Sequence, residues 1–263
     1  MLIPYLLFFA GLIFIVKGGD LFVDSATWMA KITGLPEVLI GATIVSIATT
    51  IPEATVSVIS AIQNETSMAM GNAIGSIICN TGLILGLCNF IKPSKINSKI
   101  FYSKGFLLLV YLILFLLIAS KGNIEGISSM ILLSMLAVYI LFNIEEAYRN
   151  KNRPSEERGE KIFFTKKEAL IQMIYFILGA VFILVGANLL VNYGIVIARY
   201  WGVPSAIISL TLIALGTSLP ELITAISSLR KGHGALSLGN ILGANILNIT
   251  MVIGVSSLFN PAF

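Results

Sequence analysis

The chain has 263 residues, 57% of them hydrophobic and only 11% charged, with a net charge of +4. Soluble globular chains carry about a quarter charged residues, so this composition excludes an ordinary water-soluble core and points to a polytopic, all-helical membrane protein. The small positive charge gives no support to nucleic-acid binding. The two cysteines, Cys79 and Cys88, share one apolar span, which excludes a disulfide framework or a metal-ligand spacing; both read as small buried hydrophobes.

Apolar stretches long enough to cross a bilayer are predicted at 3–30, 36–62, 67–91, 100–120, 124–146, 168–198, 204–229 and 235–259, eight in all. The first is uncharged through Val16 and lacks a basic leader, so it reads as a span rather than a cleaved signal. It carries Asp20 and Asp24 one turn apart, with Lys17 just before them, and these read as a local ion pair or a polar entrance. The second contains GATIVSIATTIPE (41–53), where a carboxylate follows directly on a helix breaker. In the third, GNAIGSIICN (71–80) sets Asn72, Ser76 and Asn80 four apart as a polar stripe beside Gly71 and Gly75. Small residues of this kind allow close helix contact. The fourth and fifth spans carry no motif. The stretch 149–167, with RNKNRPSEERGEK at its centre, reads as a solvated connector. After the sixth span, the seventh holds LTLIALGTSLPE (210–221) and the eighth holds GNILGANILN (239–248). Between them His233, in the turn KGHG, reads as a solvated residue.

Loop charge is lopsided. Lys31, Lys92, Lys95, Lys99, Lys104, Arg149, Lys151, Arg153, Arg158, Lys161, Lys166, Lys167, Arg230 and Lys231 fall on one side; Lys121 and Arg199 fall on the other. The positive-inside rule makes the basic side cytoplasmic and puts the N-terminus outside, as expected for a multi-pass protein of the cell (inner or plasma) membrane.

The chain also aligns with itself. A shift of 168 residues, without a gap, lays IATTIPEATVSVIS on LGTSLPELITAISS, so that Thr49, Thr50, Pro52 and Glu53 fall on Thr217, Ser218, Pro220 and Glu221. The same shift lays GNAIGSIICN on GNILGANILN, Gly34 and Pro36 on Gly202 and Pro204, and Asp20 and Asp24 on Asn188 and Asn192. Five spans separate equivalent points, an odd number, so the second copy is inverted in the membrane. Inverted repeats with helices interrupted at matching positions point to a secondary transporter with its site near the midplane. The expected organisation is a first repeat over 1–148, a connector over 149–167 and a second repeat over 168–263.

A carboxylate in mid-membrane costs about 3 kcal/mol on insertion scales, and no Lys or Arg lies within either motif-bearing span to pair with Glu53 or Glu221. Proline lacks the amide hydrogen and clashes with the carbonyl four residues back, which predicts carbonyls freed near Ala48 and Thr49, and near Gly216 and Thr217. Thr49 and Glu53 share a helix face, as do Thr217 and Glu221. The pooled ligands are all oxygen, which suits hard cations: Ca²⁺ takes six to eight oxygens without strict geometry. Two carboxylates balance one Ca²⁺, or Na⁺ ions at neighbouring positions. Mg²⁺ fits less well because it dehydrates reluctantly. Asn72 and Asn240 read as interhelical hydrogen-bond partners.

These paired segments resemble the two alpha-repeats of the sodium/calcium exchanger family, in the Ca²⁺/cation antiporter superfamily, over residues 18–90 and 186–258. The resemblance implies a ten-helix, inverted-repeat antiporter with broken helices that exchanges Ca²⁺ for Na⁺ by alternating access, with these ions as its substrates and no cofactor. Glu53 and Glu221 would be the central ligands, joined by the carbonyls of Thr49 and Thr217. Thr50, Ser218 and Ser76, with the carbonyls of Ser46 and Ala214, would help hold Na⁺, and Asn80 and Asn248 would face the centre. The chain departs from the family at three places. Ala244 stands where the repeat partner Ser76 offers a hydroxyl. Asn248 occupies a position that is Asp in some prokaryotic relatives. The repeats of the fourth and fifth spans do not follow the eighth, so about eight helices are expected in place of ten. A H⁺/Ca²⁺ antiporter and a passive cation channel are the alternative readings. No nucleophile constellation or phosphate-binding loop suggests an enzyme, and the oligomeric state is left open.

Overall fold

The computed structural model describes residues 2–93, 98–120, 122, 124, 126–151, 164–203 and 214–260, with 98–100, 151 and 214 described by backbone alone. The middle of the connector and the start of the second motif (204–213, with Pro204) therefore lie outside the described residues, as do Lys95, Lys121, Arg153, Arg158 and Lys161. The protein is almost entirely helical. Seven of its helical runs are long and apolar enough to cross a membrane; the eighth expected span is described only from residue 214 onward.

In chain order the elements are α1 (Leu2–Thr33), α2 (Glu37–Ile40), a π-helical turn π1 (Gly41–Val45) leading into α3 (Ser46–Ile62), then α4 (Thr66–Ile78), π2 (Cys79–Ile84) and α5 (Leu85–Ile91) as one run. A hairpin of α6 (Ser98–Ala119) and α7 (Gly126–Lys151) follows, then α8 (Lys166–Tyr200). The second motif forms α9 (Ala214–Gly216) and α10 (Leu219–Arg230), and the last run is α11 (Gly234–Leu247), π3 (Asn248–Ile253) and α12 (Gly254–Phe259).

The repeat is visible in the backbone as well as in the sequence. Gly34 and its equivalent Gly202 both take positive φ, at 68° and 77°, and so do Asn64 and its equivalent Gly232, at 64° and 86°. Matching helices thus end in matching left-handed turns. α1 and α8, the first helices of the two repeats, pack antiparallel. A Cβ added to Gly11 would meet the Gly186 carbonyl at 2.9 Å, and one added to Gly18 would meet the Gly179 carbonyl at 2.9 Å. Gly11 corresponds to Gly179 and Gly18 to Gly186 in the repeat, so the contact is self-complementary, as a two-fold axis requires.

The symmetry is incomplete in two respects. First, Pro52 does not break its helix: α3 runs through it. The mismatch in hydrogen-bonding register sits instead in the π-turn just upstream, the usual place for a local insertion to be absorbed. In the second repeat the helix does break, at Thr217–Ser218, and Pro220 stands in the first turn of α10, where its missing N–H costs nothing. Second, the two motif-bearing hairpins are covered unequally. In the most apolar stretch of the run Gly234–Phe259 83% of the residues are buried, and in that of its equivalent Thr66–Ile91 only 22%. The reason is that α6 and α7, which belong to the first repeat by sequence, pack on α11, π3 and α12 of the second.

The α6–α7 hairpin holds a buried polar chain. Lys104, counted among the loop charges from sequence, is instead fully buried in α6. Its Nζ lies 2.8 Å from Glu146 Oε2 and donates to Asn143 Oδ1 at 2.6 Å. Asn143 donates to the Tyr139 carbonyl at 2.7 Å, and the Tyr139 hydroxyl donates to the Ala42 carbonyl in π1. A buried ammonium is tolerated only when paired in this way. Tyr139→Phe is expected to lower unfolding free energy by about 1–2 kcal/mol, the cost of one buried hydrogen bond. Thermal unfolding of the detergent-solubilised protein would measure it.

Candidate ion-binding site

Glu53 on α3 and Glu221 on α10 are each 0% exposed, and they lie close enough for their charges to repel. None of the four carboxylate oxygens has a hydrogen-bond partner among the described residues. The ion pairs of the described residues join Lys104 to Glu146, Arg149 to Glu145, Lys231 to Asp20 and Asp24, and His233 to Glu37. None reaches the pair. Two buried, adjacent, unpartnered carboxylates are expensive, and a fold retains them where a cation offsets the cost.

The surrounding hydroxyls and amides are shared across the repeats. Thr49 donates to Asn240 Oδ1 at 3.2 Å, and the equivalent Thr217 donates to Asn72 Oδ1, also at 3.2 Å. Asn72 further donates to the Glu53 carbonyl at 3.1 Å and to Ser57 at 2.9 Å. Asn72 and Asn240 are thus the interhelical partners expected, and they also fix the threonines beside the carboxylates. Ser76 faces Glu53, while Thr49 and Thr50 face Glu221, near enough to interact without forming hydrogen bonds. Each carboxylate therefore sits near hydroxyls of the first repeat. Asn80 is the second residue of π2, which packs on α10 and α11; Asn248 opens π3, which packs on α3 and α4. Both amides are fully buried, and neither their oxygen nor their nitrogen has a partner among the described residues. Such groups suit direct or water-mediated coordination. Among the described residues no cluster of three or more His, Cys, Asp or Glu is present.

One pairing lacks its mirror image. Ser218 and Ser76 approach to 3.3 Å between hydroxyl oxygens. The repeat puts Ala244 in the place of a hydroxyl opposite Thr50, and the Thr50 hydroxyl has no partner among the described residues. The Ser46 carbonyl accepts from Thr49 at 3.3 Å, and Ala214 stands at the start of α9, described by backbone alone. Cys79, read from sequence as a plain hydrophobe, adjoins Ser218 and Glu221; its position within the GNAIGSIICN motif was the available signal.

A cavity of about 610 Å³ reaches the site from one side, with Asn72, Ser76, Thr217 and Pro220 on one wall and Ala187, Asn188 and Asn192 of α8 on the other. It lies toward the side on which α3 ends and α4 begins, shown by Val56 and Met68 in its lining. Two sequence readings outside the site need correction. Lys231, not Lys17, is the partner of Asp20 and Asp24. His233 is not simply solvated: its Nδ1 lies 2.7 Å from Glu37 Oε1.

Comparison with known proteins gives concordant results. The family model described as "Sodium/calcium exchanger protein" matches residues 3–145 and 171–263. The sodium/calcium exchanger MaX1 of Methanosarcina acetivorans is 32% identical, over 98% of this chain and 84% of its own length. The inner membrane protein YrbG of Escherichia coli is 31% identical, over 99% of this chain and 81% of its own. Among solved structures, the sodium-calcium exchanger NCX_Mj soaked with 10 mM Na⁺ superposes with a TM-score of 0.82 at 30% identity, covering 100% of this chain and 86% of that one.

Proposed function

The chain belongs to the sodium/calcium exchanger family, and from that premise we propose that it exchanges Ca²⁺ for Na⁺ across the cell membrane by alternating access. The observation that carries the reading is the pair Glu53 and Glu221, both buried, near enough for their charges to interact, and with no basic partner among the described residues. One Ca²⁺ or a set of Na⁺ ions neutralises them, and a neutral site can be sealed in low dielectric where a bare pair resists it. Thr49, Thr217 and Ser46 supply carbonyls, Thr50, Ser76 and Ser218 supply hydroxyls, and Asn80 and Asn248 complete the shell, with the Ala214 carbonyl beside it. Asn248 keeps the site at two carboxylates, so one Ca²⁺ balances it without a bound proton. The cavity on the α3–α4 side makes this an outward-facing state if, as the loop charges argue, the N-terminus is outside. The organisation into repeats over 1–148 and 168–263 agrees with the matching left-handed turns.

The test is ⁴⁵Ca²⁺ uptake by reconstituted protein under a Na⁺ gradient alone and a pH gradient alone. Uptake only with Na⁺ supports the proposal. Uptake with the pH gradient alone supports a H⁺/Ca²⁺ antiporter instead, and currents far above exchanger turnover would indicate a channel. Ala244→Ser restores the hydroxyl that the repeat symmetry calls for opposite Thr50. It is expected to lower the Na⁺ concentration for half-maximal Ca²⁺ exchange by about five-fold, the value of roughly one added polar contact, read from a Na⁺ titration of exchange.

A further inference from the structure

The two sides of the site are closed by different chemistry. On the cytoplasmic side α1 lies flush on α10: a Cβ added to Gly19 would sit 2.5 Å from Ser227 Oγ and 3.0 Å from Ile223 Cγ2. There Lys231, in the turn between α10 and α11, reaches back to α1. Its Nζ is 2.7 Å from Asp24 Oδ1 and 3.5 Å from Asp20 Oδ1, and it donates to the Asp20 carbonyl at 2.9 Å. On the outer side, the 168-residue shift puts Asn188 and Asn192 in the places of Asp20 and Asp24, and Gln63 in the place of Lys231. α8 there stands off α3 across the cavity, and Asn192 donates to Asn188 within its own helix instead of across the gap.

Inverted-repeat transporters reach the opposite-facing state by rocking one bundle against the other around a fixed site. With the repeats exchanging conformations, Asp20 and Asp24 take the surroundings that Asn188 and Asn192 have now, lining an open mouth. Asn188 and Asn192 in turn close on Gln63. We propose that Lys231 with Asp20 and Asp24 is a charged latch that holds the cytoplasmic side shut in the outward-facing state, with only a neutral counterpart outside. The proposal rests on the antiporter reading above. The latch stabilises the outward-facing state relative to the inward-facing one. Its release also leaves two carboxylates without a cationic partner at the cytoplasmic mouth, where they raise the local concentration of divalent cations when the site faces inward.

The experiment follows outer accessibility in the full chain in proteoliposomes, with Val191→Cys in the cavity wall as reporter, on a Cys79→Ser/Cys88→Ser background, and an impermeant maleimide outside. At fixed Na⁺ and without Ca²⁺, Lys231→Ala is expected to slow labelling about three-fold, the scale of a partly exposed ion pair. Lys231→Asp should slow it at least as much, and adding Asp24→Lys should restore it. The combination Gln63→Lys, Asn188→Asp and Asn192→Asp, which builds the mirror latch outside, should also slow labelling. Unchanged labelling in Lys231→Ala, or a charge swap that labels no faster than Lys231→Asp alone, overturns the latch. Na⁺-driven ⁴⁵Ca²⁺ uptake is measured alongside in the chain with its native cysteines. No uptake together with the expected labelling shifts counts against the antiporter reading and leaves the latch standing.

Discussion

Glu53→Gln and Glu221→Gln are each expected to weaken Ca²⁺ binding by about two to three and a half orders of magnitude and to abolish measurable exchange. Both carboxylates are fully buried and have no hydrogen-bond partner among the described residues, so a divalent ion depends on them for charge balance. With one converted to an amide, a bound Ca²⁺ carries one uncompensated charge in a low-dielectric site. Leaving a buried charge without its partner costs about 3–5 kcal/mol, which is the stated loss in affinity. The near-symmetric placement of the pair predicts similar losses for the two variants. Glu53→Asp keeps the charge and shortens the reach, so it should fall between wild type and Gln. Equilibrium ⁴⁵Ca²⁺ binding to purified protein separates lost affinity from lost transport. Near-normal binding by either Gln variant would refute a site built on two carboxylates.

Gly239→Ala is expected to destabilise the fold by about 3 kcal/mol or more, the upper range for overpacking, and to reduce the yield of folded protein. A methyl group at this position would overlap the Val38 carbonyl oxygen, a backbone atom with no rotamer to escape into. Next along α11, a Cβ on Gly243 would sit 2.8 Å from Ala42 Cα and 2.6 Å from Ser46 Oγ. From the other helix, Gly41 approaches the Leu236 carbonyl in the same way. These glycines let α11 lie against α2 and π1 at backbone contact, which brings Asn240 within reach of Thr49. The repeat-equivalent Gly71 lines the cavity, with nothing within 4 Å of an added Cβ among the described residues. Thermal unfolding of Gly239→Ala beside wild type in one detergent measures the loss, and an unchanged midpoint would contradict the packing described.

Much of the site was legible in the chain because its residues occur twice. The shift that superposes Glu53 on Glu221 also fixes which threonine and which asparagine belong together. The structure then joins them crosswise, Thr49 to Asn240 and Thr217 to Asn72. Proline was the less dependable guide. The same residue sits inside a continuous helix in one repeat and just after a break in the other. A lost amide can be absorbed by a neighbouring π-turn, and local sequence does not say which outcome packing will favour. The pairings of Lys104, Lys231 and His233 were missed for a related reason. Their partners Glu146, Asp20, Asp24 and Glu37 are far away in sequence, and a charge count over loops assigns sides of a membrane without assigning pairs.

The sequence by itself determined that this chain spans a membrane several times, that its halves are inverted copies, and that two carboxylates lie at equivalent depth. Those properties follow from hydropathy and an exact internal register, both of which are one-dimensional. Only the tertiary structure decided that the two carboxylates come near each other without a basic neighbour among the described residues, that a cavity opens on one side of them while Lys231 pairs with Asp20 and Asp24 on the other, and that the α6–α7 hairpin covers the last helical run more fully than its equivalent in the first repeat. Each of these depends on which helix faces reach contact distance, and close packing at glycines, together with the pairing of buried charges, settles that only once the whole chain is folded.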